Sequence, residues 1–231
     1  MIFAANFKTN HTRASTKEYM QKLEELSQEV ENPLYVFPPL TALDRFDSSK
    51  LVIGAQNAYP IQNGAVTGEV GVDQLAEFDI ETILIGHSER REILGESQEE
   101  VAKKFAFFKE HGFTIIYCIG EPLEVRQSGE EALKEYLFAQ LDGIDLEYNK
   151  LIVAYEPIWA IGTGVSATVE DITSTHQLLK KVIKAPLLYG GSAKLANIKE
   201  IAAIDEVDGV LVGSASLDAT NFFEMIQASK A

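Results

Sequence analysis

Eight short apolar runs, almost free of internal polar residues, leave this chain few folds to choose from. They are IFAAN from Ile2, LYVF from Leu34, LVIGA from Leu51, TILIG from Thr82, TIIYC from Thr114, LIVAY from Leu151, LLYG from Leu187 and GVLVG from Gly209. A strand with one face in water alternates apolar and polar residues. These runs do not, so each is expected to be covered on both faces, as strands of a parallel sheet are. Helical signals lie between them. Ser15 with Glu18 forms a capping-box pattern ahead of Tyr19, Leu23, Leu26 and Val30. Ser97 with Glu100 precedes Val101, Phe105 and Phe108, and Gly112 closes that segment. Ser128 with Glu131 leads into Leu133, Leu137 and Leu141. Strand and helix alternate eight times across residues 1–231 without a linker or low-complexity break, which predicts an α/β protein with one domain, a closed (β/α)₈ barrel. The pattern alone leaves an open doubly wound sheet as the alternative.

The repeat bends in two places. Leu34 and Leu51 start consecutive runs so close together that the second helix must be very short. Conversely, QNAYPIQNGAVTGEVG, from Gln56 to Gly71, is long and carries little periodicity. Its Tyr59, Ile61 and Val66 suit docking against another surface better than free solvation.

Composition narrows the function. The 231 residues carry a formal net charge of −15, which disfavours nucleic acid and anionic membranes as partners. An anionic substrate then needs a local cation or a set of free amides. A single cysteine excludes an intramolecular disulfide framework and fits a reducing compartment. Met1 runs straight into IFAAN without a basic region or a long apolar core, so a cytoplasmic protein without a signal peptide is expected.

Barrels of this kind carry their chemistry at the C-terminal ends of the strands. Those positions hold Asn6 and Lys8, His87, Cys118, Glu156, then Gly190, Gly191 and Ser192, then Gly213 and Ser214. Singly, each has a plain explanation: a surface charge, a helix cap, a packed thiol, a turn. His11, His111 and His176 read as a loop residue, a helix C-terminus and a mid-helix residue without chemistry. Together on one rim, the base, imidazole, cation and glycine-rich turns point to an enzyme that works with acid and base groups. No His or Cys spacing suits a metal, and no cofactor is expected.

NFKTN, IGHSERR, CIGE, AYEPIWAIGTG, YGGS and DGVLVGSASL, in this order from Ile2 to about Leu217, resemble the triosephosphate isomerase family. EPIWAIGTG and GHSERR are specific; YGGS alone is weak. The family is a standard illustration of pKa tuning and lid closure, so the following roles come with the resemblance. It implies interconversion of dihydroxyacetone phosphate and D-glyceraldehyde 3-phosphate through an enediolate. Glu156 matches the base, expected in a dry apolar enclosure that raises its basicity. His87 matches the electrophile, kept neutral by the following helix N-terminus. Lys8 matches the cation, with Glu89 orienting it and Asn6 as a further donor. Amides of Gly162, Ser192, Gly213 and Ser214 match the phosphate grip. Pro157, Ile158 and Trp159 match a stiff hinge, Ile161 and Leu211 the aliphatic cover, and Tyr189 and Ser192 the residues that latch the lid.

The resemblance further implies a homodimer, in which Thr67 reaches the partner's site and Glu69 pairs with Arg90 of the other subunit. Phe7, Thr9, the triplet Val165-Ser166-Ala167 and Ser214 depart from the family pattern. A sugar-phosphate aldolase using Lys8 as a Schiff base, or a non-catalytic phosphate-binding protein, are the competing functions. Glu89 and Glu156 beside the lysine argue against the first.

Overall fold

The computed structural model describes residues 1–161 and 166–230. Its eight strands are β1 (Ile2–Asn6), β2 (Leu34–Phe37), β3 (Leu51–Ile53), β4 (Thr82–Ile85), β5 (Thr114–Glu121), β6 (Leu151–Pro157), β7 (Leu187–Tyr189) and β8 (Gly209–Val212). Each coincides with one of the apolar runs. They form one parallel sheet in the order β3-β2-β1-β8-β7-β6-β5-β4. The seam between β3 and β4 is closed two residues past the end of β3. There the Ala55 N–H donates to Thr82 O and Ala55 O accepts from the Leu84 N–H, both at 2.9 Å. The sheet is therefore a nearly closed barrel, not an open sheet.

The period of two along each strand explains why the runs are continuous. On β5, Ile115, Tyr117 and Ile119 face the surrounding helices, while Ile116 and Cys118 face inward. The inward residues Ala4, Phe37, Leu84, Ile116, Cys118, Ile152, Ala154, Leu188 and Leu211 fill the barrel interior as one cluster. Both faces are dry, so neither can be polar.

The outer layer contains α1 (Arg13–Leu26), α2 (Val72–Ala76), α3 (Ser88–Glu92), α4 (Gln98–Glu110), α5 (Leu123–Gln127), α6 (Glu130–Ala139), α7 (Val169–Lys180), α8 (Ile198–Ala202) and α9 (Ala219–Ala228). The very short second connection is a three-residue 3-10 turn, Leu40–Ala42. The capping box at Ser97 and Glu100 forms, and Gly112 follows α4 at φ +74°. Two other caps are corrected. The N-cap of α1 is Thr12, not Ser15; Thr12 and Ser15 cap each other reciprocally. The helix starts one turn early because this puts Thr16, Tyr19, Met20 and Leu23 on the buried face. Nor does Ser128 cap α6. It ends the unforeseen α5, donating its hydroxyl to Glu124 O at 2.7 Å, and Gly129 enters α6 at φ +100°.

The long loop is braced at its root. Tyr59 N–H donates to Val70 O at 2.8 Å and Val72 N–H to Ile61 O at 3.0 Å, while Thr67, Gly68 and Glu69 at its tip are exposed. Among the described residues no helix is long and apolar enough to cross a membrane.

Candidate active site

Strand register carries the site residues to the barrel mouth. On β6, Ile152 and Ala154 face the interior, and the next inward position is Glu156. On β1, Ala4 is inward and Asn6 follows two residues later; on β8, Leu211 is inward and Gly213 follows. Asn6, Lys8, His87, Glu156, Ile161, Gly190, Gly191, Ser192, Leu211, Gly213 and Ser214 line one cavity of roughly 360 Å³ at this end.

Glu156 and His87 form its floor. The carboxylate is 1% exposed and the imidazole 6%. Nε2 of His87 lies 3.0 Å from Oε1 of Glu156. His87 is the N-cap of α3, and its Nδ1 accepts the Glu89 N–H at 3.2 Å. A ring nitrogen that accepts carries no proton, so the neutral ring here bears its hydrogen on Nε2, facing Glu156. Burial works against imidazolium, but the Glu156 carboxylate, with Glu89 beyond it, outweighs burial and leaves the His87 pKa above its ordinary value. The helix N-terminus expected to oppose charge presents the Glu89 N–H to Nδ1, while the neighbouring carboxylate works in the other direction.

The apolar enclosure expected around Glu156 is corrected. Burial pushes its pKa up, yet His87, the Ser88 N–H at 2.8 Å and Lys8 together hold it below the ordinary carboxylate value. Its enclosure is dry but not apolar. In this arrangement the base is parked: two donors must be given up before its full basicity is available.

Lys8 stands above the pair. It adopts φ +53°, and its ammonium meets Glu89 Oε1 at 2.5 Å. Its backbone is held by Asn6 Oδ1, which accepts the Lys8 N–H at 3.0 Å, and by Gln56, whose amide donates to Lys8 O at 2.8 Å. A β-carbon on Gly213 would sit 3.5 Å from Lys8 Cε, so the ammonium stem lies directly over the turn after β8. Gly190 is also spatially required, because a β-carbon there would come within 2.9 Å of Glu156 Cγ.

Beyond Glu156, β6 runs through Pro157 into a 3-10 turn, Ile158–Ala160. Trp159 Nε1 donates to Glu121 Oε1 at 3.0 Å, and Tyr155 donates its hydroxyl to the same oxygen at 2.9 Å. Arg126 stacks over the indole at 5.9 Å. Ser192 donates its hydroxyl to Ala160 O, joining the β7 turn to this segment. Tyr189 is fully buried. Gly162 and Val165 lie outside the described residues.

Cys118 is buried in the barrel interior below the cavity, and burial raises its pKa well above the thiol value, so it is packing. Arg90 Nε lies 3.4 Å from Glu96 of its own chain, away from Thr67 and Glu69 on the exposed loop tip. Sequence reading missed two contributors. The Ser88 amide was legible as a free N–H in the first turn of a helix. Glu121 lay within the quoted CIGE motif but its indole partner did not follow from spacing.

The triosephosphate isomerase family model matches residues 1–229. The triosephosphate isomerase of a Sulfurovum strain is 65% identical over 230 residues, covering 99% of this chain and all of that protein. That of Wolinella succinogenes is 59% identical over 98% of this chain and 99% of the relative. The Nitratiruptor enzyme is 55% identical, with coverage of 100% and 99%.

Proposed function

Because the chain belongs to the triosephosphate isomerase family and interconverts dihydroxyacetone phosphate and D-glyceraldehyde 3-phosphate, we propose that Glu156 and His87 carry the proton transfers between them. The observation that supports this is their direct contact, 3.0 Å apart, on the floor of the cavity beneath Lys8. No carbon skeleton fits into that gap. Substrate therefore separates the two groups, and Glu156 leaves the Ser88 amide to meet the carbon acid. Freed of two donors and shut from water, the carboxylate becomes the stronger base. Nε2–H of His87 donates to the substrate oxygen on which enediolate charge develops. Lys8, oriented by Glu89, offsets that charge and the phosphate, and Asn6 donates beside it. The amides of Ser192, Gly213 and Ser214, with that of Gly162, hold the phosphate. Ile161 and Leu211 cover the base, and the Pro157–Trp159 segment is the hinge, with Tyr189 and Ser192 as its latch.

A coupled assay on metal-chelated protein tests the activity. Replacing Glu156 by Asp is expected to cut turnover by orders of magnitude with phosphate affinity nearly unchanged; an unaltered turnover would remove Glu156 from its role. The Schiff-base alternative has no support, since Lys8 Nζ meets the Glu89 carboxylate at 2.5 Å, whereas such a nucleophile needs a pocket without a carboxylate neighbour.

The reading extends to a homodimer built on a single barrel domain, residues 1–231, working in the cytoplasm. A second cavity of about 200 Å³ beside the site, lined by Asn6, Lys8, Gln56, Glu89, Arg90 and Leu94, supports insertion of the partner's Thr67 there. Ile93 and Leu94, 75% and 65% exposed, gain cover in such an assembly. Glu69 and Arg90 pair across it. Sedimentation showing a monomer at micromolar concentration would contradict this.

A further inference from the structure

His11 is half-buried in the turn after β1, three residues beyond Lys8. Its backbone stands at φ +69°, a conformation that costs a side-chain-bearing residue energy unless surrounding contacts hold it there. The contacts are specific. Nε2 lies 3.0 Å from Leu217 O, and Nδ1 lies 3.1 Å from Ser15 Oγ. A carbonyl only accepts, so Nε2 carries the hydrogen, and the Ser15 hydroxyl donates to Nδ1. The ring also rests on Phe7, centroids 4.6 Å apart.

The ladder between β1 and β8 stops at Ala5 and Val212. Past that point the two chains diverge into the turn that carries Lys8 and the turn that offers the Gly213 and Ser214 amides. The bond from His11 to Leu217 is the one hydrogen bond, among the described residues, that joins these turns. Leu217 is itself fixed to Ser214, donating its N–H to Ser214 O at 3.3 Å. This imidazole therefore links the turn that carries Lys8 to the turn over which its ammonium stem lies.

We propose that His11 is a positioning residue for the phosphate subsite, clamping the Lys8 turn to the Gly213–Ser214 turn so that cation and amides converge on one anion. It touches no substrate; its strained backbone is held by the two turns that it joins. This rests on the phosphate-binding reading given above.

The test compares His11→Gly and His11→Gln with the wild type. Glycine suits φ +69°, so that variant loses the clamp without new backbone strain. Its KM for glyceraldehyde 3-phosphate and its dissociation constant for inorganic phosphate are each expected to rise about fivefold, with kcat within about twofold, the loss of one neutral hydrogen bond. His11→Gln keeps an N–H at similar reach and is expected to recover most of the affinity. Unchanged phosphate affinity in His11→Gly, or a fall in kcat at constant KM, overturns the inference. Should the variants not fold, the imidazole ¹⁵N spectrum of wild-type protein decides. A protonated Nε2 of His11 that shifts on saturation with inorganic phosphate supports the clamp, and one that does not shift overturns it. Wild-type protein that binds no inorganic phosphate refutes the phosphate reading itself, and this inference with it.

Discussion

His87 at the barrel mouth and His176 in α7 are both withdrawn from water, 6% and 0% exposed, yet their acidities move in opposite directions. His176 donates from Nδ1 to Glu206 O at 3.0 Å, and its Nε2 has no hydrogen-bond partner among the described residues. The rings of Tyr155 and Tyr189 flank it at 5.8 and 6.5 Å. Burial dominates there and lowers its pKa to about 4. At His87 burial also works against the charged ring, but a carboxylate 3.0 Å away reverses the outcome. The difference teaches that enclosure alone makes an inert histidine. Chemistry requires enclosure together with a charge partner that can also move.

The largest expected effect breaks the comparison at its source. Glu156→Gln removes the carboxylate, and turnover should fall roughly a hundred- to ten-thousandfold in the coupled assay. The same variant should make His87 resemble His176, its pKa dropping below the ordinary value when followed through its imidazole resonances. A ring that stays above that value would mean that the carboxylate is not the cause.

His87→Ala leaves Glu156 with its Ser88 donor but takes away the Nε2–H. A loss in kcat of roughly a hundred- to thousandfold is expected from removing one donor to a developing oxyanion. If KM rises instead while kcat holds, His87 binds substrate and does not act on the transition state.

His176 sharpens the contrast through stability. The unfolded chain titrates this ring near 6.5 and the folded chain near 4, so between those values only the unfolded state binds the extra proton. Its contribution is complete above about pH 6.5 and is lost as pH falls toward 4, a loss on the order of 3 kcal/mol. Denaturant melts of wild type and His176→Gln across this window should differ in slope by one proton. Equal slopes would exclude His176 as the source.

The smallest effect concerns Glu89, which lies farther from His87, 3.7 Å from Nδ1. Glu89→Gln should lower the His87 pKa by less than Glu156→Gln does, in the same imidazole titration. A larger drop would invert the assigned causes.

Much of the framework was legible because it depends on periods. Continuous apolar runs demanded strands covered on both sides, and period two along IVAYE carried Glu156 inward. The caps at Thr12 and Gly129 were not legible, since Ser15 and Ser128 satisfy the same local pattern and only packing of the helix face selects between them. The glutamate was assigned an apolar enclosure, and that failed for a similar reason. The Ser88 amide that holds it comes from the first residue of α3, 68 residues away in sequence. His11, read as a plain loop residue, shows the same limit: its partner Leu217 is 206 residues distant.

The sequence by itself determined eight strands covered on both faces, which residue types meet at their C-terminal ends and the family that the chain resembles, because these follow from local periodicity and specific contiguous motifs, while closure of the sheet at Ala55 came from the tertiary structure. Only the tertiary structure decided the protonation balance of Glu156 and His87, the parked position of the base, and the clamp between the first and last turns. Those depend on distances between groups remote along the chain, and electrostatic and hydrogen-bond energies change over fractions of an ångström that no linear pattern encodes.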